Sequence, residues 1–177
     1  MLKLNIEEYK NNIFEDLKKI NPILTVGSYN DFNAMTVSWG GIGVLWNLNV
    51  AIVYVRKSRN TYKFSEKYDS FTLSFLPEKY AKEVAFFGSK SGRDYDKFKE
   101  TGLHASYEPD FNGYFVAEAN YVIRMKKIAK FDFDSDFIPE EVKNHYPNDD
   151  YHTAYFCKIV DILVNEDYED YKFILNR

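Results

Sequence analysis

Apolar residues at helical spacing open the chain, and short strand-like runs follow them. In residues 1–20 the apolar side chains recur every three or four positions, at Ile6, Tyr9, Ile13, Leu17 and Ile20. This spacing places them on one face of a helix. Asn5, with Glu8 three residues later, forms a capping-box pattern, and Pro22 stops the helix. The pattern predicts an N-terminal amphipathic helix over residues 1–20 that covers a sheet.

The apolar runs after the first helix are short and lie between turn signals, which is typical of β-strands. Strands are predicted over residues 23–28, 34–40, 48–55, 70–76, 114–128 and 153–164. Asn30 with Asp31, and the glycines between residues 40 and 43, are predicted to separate strands. Many short strands with intervening turns favour an antiparallel barrel over a doubly wound parallel sheet.

Three further helices are predicted, over residues 59–67, 78–87 and 94–101. Pro77 precedes the second of them, and Gly88 and Gly102 follow the second and third. Residues 131–150 are acidic and contain two prolines, so we expect an excursion with a short helix there. The last ten residues are charged and aromatic, and we expect them either to lie on a partner subunit or to fray.

Composition bounds the class of protein. A chain of 177 residues without repeats is predicted to form one domain over residues 1–177, with a core large enough to need no disulfides. Its single cysteine, Cys157, excludes an internal disulfide framework and is expected to be an inert core residue. No signal-peptide pattern and no apolar run long enough for a bilayer is present, which predicts a cytoplasmic protein without a membrane partner.

Charge and aromatic content limit the kinds of binding partner that the sequence supports. The net charge of −4 argues against a nucleic-acid partner, which needs a broad positive face. The 15 Tyr and 15 Phe residues are scattered rather than gathered into a stacking platform. We therefore expect most of these rings in the core or in a dimer interface.

Two runs carry candidate chemistry. The first, over residues 33–41, reads N-A-M-T-V-S-W-G-G, and the second, over residues 56–62, reads R-K-S-R-N-T-Y. A planar cofactor with a phosphate, such as FMN, needs close backbone approach, hydrogen-bond donors along its ring and cations for its phosphate. The first run can supply the donors and the second the charge. Ser58 is predicted to cap a helix that begins near Arg59, whose N-terminus favours a phosphate.

Both runs, followed in order by residues 71–75, 87–98 and 151–156, resemble the flavin reductase-like family of FMN-binding split barrels. The resemblance extends from about residue 21 to residue 164. It implies a mainly β fold, an antiparallel, Greek-key-like split β-barrel with peripheral α-helices. It also implies FMN as the cofactor and a homodimer as the assembly.

The resemblance implies three groups of cofactor-binding residues. One group lines the flavin ring, largely through main-chain atoms: Met35, Thr36, Val37, Ser38 and Trp39. A second contains the phosphate ligands, with Arg59 central: Arg56, Ser58, Arg59 and Thr61. A third is a loop from the same or the partner subunit: Ser89, Lys90, Ser91 and Gly92.

Each group also has an ordinary structural interpretation. The first run could be a strand with a glycine bulge, the arginines could be solvated charges, and the third group could be a polar loop between helices. His152 is a candidate residue near the flavin, although a lone histidine at the start of a strand is more often structural. Where family members often carry a small and an acidic residue, this chain has Phe156, Cys157 and Lys158, which weakens the resemblance near the C-terminus.

No other cofactor or catalytic motif competes. The three histidines and one cysteine are dispersed, so no metal site is predicted. No G-x-G-x-x-G follows a strand, and no G-x-S-x-G is present. A nicotinamide donor would therefore stack on bound flavin rather than occupy a Rossmann site.

The resemblance implies an FMN-binding oxidoreductase, an NAD(P)H-dependent flavin reductase in which hydride passes to the flavin N5 and electrons continue to an unknown acceptor. The alternative is a flavoredoxin-type FMN electron carrier, reduced by a redox protein and without useful NAD(P)H activity. A protein that has lost its cofactor is disfavoured because both runs are retained. In neither of the first two cases is an acid–base side chain required, since the cofactor carries the chemistry.

Overall fold

The computed structural model describes residues 1–8 and 12–168. Ten strands run through these residues: β1 (Leu2–Leu4), β2 (Ile23–Ser28), β3 (Asp31–Thr36), β4 (Gly40–Leu45), β5 (Leu48–Arg56), β6 (Ser70–Phe75), β7 (Ala105–Glu108), β8 (Gly113–Val116), β9 (Tyr121–Asp132) and β10 (His152–Val164). Eight of them form one antiparallel sheet in the order β3-β2-β6-β9-β10-β5-β4, with β1 also paired to β10. Strands β7 and β8 form a separate hairpin. The predicted mainly antiparallel β architecture is confirmed. Among the described residues, the first and last strands of this order, β3 and β4, do not pair with each other, so the sheet is not a closed barrel.

The helices are short and lie outside the sheet. They are α1 (Ile13–Glu15), α2 (Asn60–Lys67), α3 (Ala81–Ser89), α4 (Lys97–Thr101) and α5 (Glu140–Lys143). Single helical turns precede or follow them at Ile6–Glu8, Asp16–Ile20, Glu78–Tyr80 and Ser135–Phe137. α2, α3 and α4 lie close to their predicted positions.

The predicted N-terminal helix over residues 1–20 is wrong. Residues Leu2–Leu4 form β1 and pair with residues 162–164 of β10. Asn5 accepts a hydrogen bond from the Glu7 amide, and Asn12 caps α1 by accepting one from the Phe14 amide. Two short helical segments therefore replace one long helix, because the sheet edge offers β1 a backbone partner that helical spacing cannot reveal. Tyr9 lies outside the described residues.

The glycines between residues 40 and 43 do not interrupt the sheet as predicted. They begin β4, and the chain reverses instead at Trp46 and Asn47, whose φ angles are 53° and 58°. Two successive positive φ angles match the two-residue turn that joins twisted antiparallel strands. A Cβ at Gly40 would lie 2.6 Å from the Ile52 carbonyl oxygen, so glycine lets the two strands approach there.

Four other features of the strands differ from the sequence prediction. The strand predicted over residues 114–128 is divided into β8 and β9 by a turn in which the Asn120 amide donates to the Phe75 carbonyl. β7 was not predicted. β3 begins at Asp31 and ends at Thr36, so residues 37–39 leave the sheet before β4. The excursion starts only after β9 ends at Asp132.

Two buried clusters hold the sheet and its helices together. The larger contains the inward residues of β2, β5, β6, β9 and β10, among them Cys157, as expected. Burial raises the pKa of the Cys157 thiol, so it stays protonated. The smaller cluster packs Val84 and Phe87 of α3 against Ile23 and Ala34 of β2 and β3. This second contact fixes α3 beside the end of β3, where the site lies.

Candidate functional site

A cleft of about 410 Å³ opens where β3 ends beside the end of β5. We call it the large cleft; it is lined by Met35, Thr36, Val37, Ser38, Trp39, Tyr54, Arg56, Ser58, Arg59 and His152. The two runs singled out in the sequence thus meet in space. They meet because β4 begins at Gly40, inside the first run, and pairs with β5, which ends at Arg56 in the second run.

A second cavity of about 90 Å³ adjoins the large cleft and shares Met35, Ser58 and Arg59 with it. We call it the small pocket; its other lining residues are Asn33, Asn60, Thr61, Lys90, Ser91, Gly92, Arg93 and Lys97. Four of its lining side chains are cations and none is a carboxylate. A cavity of this composition attracts a compact anion.

The end of β3 presents its backbone to the large cleft. Met35 and Val37 bury their side chains in the core, and the Thr36 hydroxyl donates to the Val84 carbonyl of α3 at 2.5 Å. Thr36 and Ser38 therefore do not form the pair of hydroxyls on one strand face that period two predicts. Ser38 and Trp39 lie in the loop beyond β3, and Trp39 is 47% exposed.

Arg56 lines the large cleft but already has partners in the excursion. Its guanidinium donates to the His145 carbonyl, stacks over the Tyr146 ring at 4.9 Å and lies 3.6 Å from an Asp150 carboxylate oxygen. Asp150 also accepts a hydrogen bond from the Ser58 hydroxyl at 2.5 Å. These contacts hold the excursion next to Arg56 and Ser58, two residues that line the large cleft.

The predicted capping role of Ser58 is wrong. α2 begins at Asn60, its cap residue is Arg59, and no side chain caps it, because Asp150 takes the Ser58 hydroxyl. The first amides of a helix have no acceptor within it, and the first two residues of α2, Asn60 and Thr61, line the small pocket where the cations gather. The Arg59 guanidinium donates to the Gly88 carbonyl, and burial, followed by the nearby Arg56 charge, lowers its pKa.

The loop after α3 contributes three of its four predicted residues. Lys90, Ser91 and Gly92 line the small pocket. Ser89 does not line either cavity, since its hydroxyl donates to the Ala85 carbonyl within α3. A Cβ at Gly92 would lie 2.2 Å from the Asn33 Oδ1 atom, so only glycine keeps this wall in place.

Five lining residues were missed as site residues by sequence reasoning: Asn33, Tyr54, Asn60, Arg93 and Lys97. Asn60 is 7% exposed, and its Oδ1 atom has no hydrogen-bond partner among the described residues. Such an orphaned acceptor suits a hydroxyl group of a ligand. Asn33, Asn60, Arg93 and Lys97 stand inside the quoted runs, so their positions gave a signal, whereas Tyr54 lies outside all of these runs.

His152 lies at the outer side of the large cleft. Its ring centroid lies 5.0 Å from that of Trp39, and its Nδ1 atom is 2.9 Å from the Tyr146 hydroxyl oxygen. Burial, and next the positive charge of Arg56, lower the pKa of His152 to about 4. The imidazole is therefore neutral at pH 7 and serves as a hydrogen-bonding aromatic wall rather than as a charge.

The chemistry of the two cavities fits a phosphorylated flavin. The large cleft offers a backbone edge and aromatic walls to a planar ring, and the small pocket offers cations, free amides and the orphaned Asn60 acceptor to a phosphorylated side chain. Among the described residues, no three His, Cys, Asp or Glu side chains converge as they would around a metal ion. No helix in the described part of the chain is long and apolar enough to span a bilayer.

Comparisons with known proteins agree with this chemistry. The profile of the flavin reductase like domain matches residues 19–175. The flavoredoxin of Desulfovibrio vulgaris (Miyazaki F) is 25% identical with a TM-score of 0.63, over 82% of this chain and 70% of that chain. No curated protein matches the sequence.

Two structures of lower identity share the fold. An FMN-binding protein from Thermus thermophilus with bound 1-cyclohex-2-enone is 18% identical with a TM-score of 0.68, over 86% of this chain and 74% of that chain. A Streptomyces globisporus C-1027 NADH:FAD oxidoreductase in complex with NAD and FAD fragments is 13% identical with a TM-score of 0.60, over 81% and 73%. Since the profile covers most of the sequence, the chain belongs to the flavin reductase-like family of flavin-binding oxidoreductases and has its split-barrel fold.

Proposed function

We propose that the chain binds FMN noncovalently and acts as an NAD(P)H-dependent flavin reductase. The observation that carries the proposal is a cleft of about 410 Å³ that shares three lining residues with a small cationic pocket, whose lining has no carboxylate among the described residues. When bound, FMN supplies the redox chemistry, which takes hydride at N5 and passes electrons to an acceptor.

The chain's own residues hold and orient this cofactor. The backbone of residues 35–39 lies along the ring edge, while Trp39 and His152 bound the space above it. Arg59, Thr61, Lys90, Ser91 and Gly92 surround the phosphate in the small pocket. Ser58 lines both cavities and Arg56 lines the large cleft, and both hold the excursion beside them through Asp150. Ser89 supports the loop without contacting the cofactor.

A homodimer is part of the proposal. β4 is an edge strand, and its hairpin exposes Val44 by 71% and Trp46 by 65%. Cβ atoms at Gly41 and Gly43 would meet no atom of the described residues within 4 Å, so that part of the chain leaves room at this edge for another chain. An exposed apolar edge strand invites such a partner. We place the dimer in the cytoplasm.

A second candidate is a flavoredoxin-type carrier, reduced by a redox protein. It is favoured by the 25% identity to a flavoredoxin and by the exposure of Trp39 beside the large cleft, which gives a protein partner access. The carrier and the reductase share the same cavities and differ in the electron donor.

An anaerobic titration followed by the visible spectrum separates them. Purified protein with FMN is mixed with NADH and then NADPH, and the flavin absorbance is recorded. Saturable bleaching establishes the reductase and identifies its donor. FMN that is retained but reduced by neither donor favours the carrier, and protein that binds no FMN after supplementation overturns both.

A further inference from the structure

Lys97 is a buried lysine at the boundary of the small pocket. It is the first residue of α4, its side chain is 6% exposed, and it lines both the small pocket and an adjoining cleft beside Phe98. Lysines are almost never this deeply buried unless they are paired. The partners of its ammonium group therefore need to be identified.

Two of the three ammonium donors have protein partners. Nζ donates to the Ala34 carbonyl at 3.0 Å and to the Phe87 carbonyl at 2.9 Å. No carboxylate of the described residues lies within 4.0 Å of Nζ. An ammonium has three donors, so one remains for the cavity that Lys97 lines.

Three further cations lie near Lys97 and make an anion in the small pocket more favourable. Arg59 faces it from the start of α2, and Lys90 and Arg93 face the same pocket from the loop after α3. Asp96, the preceding residue, accepts a hydrogen bond from the Lys99 amide as the cap of α4. Burial, and next the Arg59 charge, lower the pKa of Lys97 to about 8.

We infer that Lys97 is the specificity-determining residue that makes this site select a phosphorylated flavin, because its buried ammonium takes the phosphate as its missing counterion. The inference rests on the proposed function and deepens it. It assigns the role of discriminating FMN from riboflavin to a residue that the sequence analysis did not name among the cofactor-binding residues.

The same ammonium ties the phosphate to the rest of the site. Ala34 directly precedes Met35, the first residue along the proposed ring edge, and Phe87 lies in the last turn of α3. Arg59 binds the next carbonyl of that turn, at Gly88. A phosphate between Lys97 and Arg59 would therefore hold β3 and the end of α3 in one arrangement.

The test compares FMN with riboflavin, which carries the same ring without the phosphate. Dissociation constants of both are measured by flavin fluorescence for wild-type protein, Lys97→Met and Lys99→Met. Lys99 is the matched control, because it lies on the same helix and is exposed. Loss of a charge-assisted contact predicts that Lys97→Met weakens FMN binding roughly 10- to 100-fold and riboflavin binding less than about threefold. Lys99→Met leaves both unchanged.

If Lys97→Met weakened FMN and riboflavin equally, Lys97 would serve only to hold the end of α3, and the inference would be overturned. The proposed function would still stand in that case, because wild-type protein would bind FMN. Wild-type protein that binds neither flavin would overturn both.

A second measurement needs no variant and so does not depend on how Lys97→Met folds. The ratio of riboflavin to FMN dissociation constants is followed in wild-type protein from about pH 7 to 9.5. As the ammonium loses its proton, the preference for FMN falls by up to about tenfold per pH unit above about 8. A ratio that stays flat over this range would contradict the assigned role.

Discussion

Arg124 and Lys97 are both buried cations, and the protein treats them differently. Arg124 forms two hydrogen bonds of 2.6 and 2.7 Å with Asp161, which is itself 2% exposed and also pairs with Lys3 at 2.9 Å. Lys97 has two carbonyl partners and no carboxylate within 4.0 Å among the described residues. The charge between β9 and β10 is neutralised inside the fold, whereas the charge beside the small pocket is left for a ligand.

This difference separates structural from functional charge. A buried ion pair between neighbouring strands is a closed unit, because each partner satisfies the other. A buried cation without an anion costs stability in the ligand-free protein, and the protein recovers that cost only when an anion binds. The two cations therefore make opposite predictions about stability and ligand binding.

The largest expected effect on stability comes from breaking the buried ion pair between Arg124 and Asp161. Asp161→Asn leaves the Arg124 charge buried without its carboxylate, so we expect the free energy of unfolding to fall by about 3 kcal/mol. Urea unfolding measures this loss. The ratio of FMN to riboflavin affinity should stay at its wild-type value, because β10 residue 161 lies outside both cavities. A changed affinity ratio in Asp161→Asn would contradict the distinction between a structural ion pair and a ligand-binding cation.

The second prediction concerns the stability of the ligand-free protein at alkaline pH. The folded pKa of Lys97 is about 8, below its ordinary value of 10.5, so the unfolded chain binds more protons between these values and stability rises with pH. Relative to Lys97→Met, wild-type protein should gain about 2 kcal/mol from pH 8 to pH 10. Urea unfolding of both proteins across this range checks the sign. If the stability of wild-type protein relative to Lys97→Met fell over this pH range, the Lys97 ammonium would be stabilised by the protein itself, without a ligand.

The third prediction uses salt to separate the two cavities. The small pocket carries four cations, whereas the groups bounding the ring space, including His152, are largely neutral. Raising the salt concentration from about 0.05 to 0.5 M should weaken FMN binding several-fold through screening, and leave riboflavin binding nearly unchanged. Fluorescence titrations at four salt concentrations would show this. Parallel slopes for the two ligands would indicate that the phosphate does not enter the cationic pocket.

The smallest effect is expected at the outer wall of the large cleft. Tyr146→Phe removes one hydrogen bond to His152 and should weaken FMN and riboflavin equally, by less than about 1 kcal/mol. Because the pKa of His152 is about 4, its charge should cause no inflection in binding between pH 5 and 8. A step near pH 6.5 in wild-type protein, absent from His152→Gln, would show that the imidazole is charged in this range.

The sequence indicated which runs come together better than it indicated the edges of the fold. The runs around Ser38 and Arg59 meet because they flank consecutive strands, so short-range order was sufficient. β1 and β7 are only three and four residues long, and their pairing depends on distant partners that local periodicity does not encode. The turn at Trp46 and Asn47 was missed because neighbouring glycines offered a stronger signal.

Lys97 and the excursion show what remained beyond sequence reasoning. A lysine on a short polar helix is normally solvated, and only tertiary packing against Ala34 and Phe87 buries it. Ser58 was expected to cap α2, but its actual partner, Asp150, is 92 residues away in the chain. Contacts of this separation depend on the path of the excursion, which composition alone does not determine.

Proton uptake on FMN binding tests the central claim most directly. If phosphate restores the ammonium of Lys97, calorimetric titration at about pH 8.5 in buffers of different ionisation enthalpy should show uptake of about 0.8 proton per FMN. Riboflavin with wild-type protein, and FMN with Lys97→Met, should show none. FMN binding without proton uptake in wild-type protein would contradict the account, because the buried charge would then not be the counterion of the phosphate.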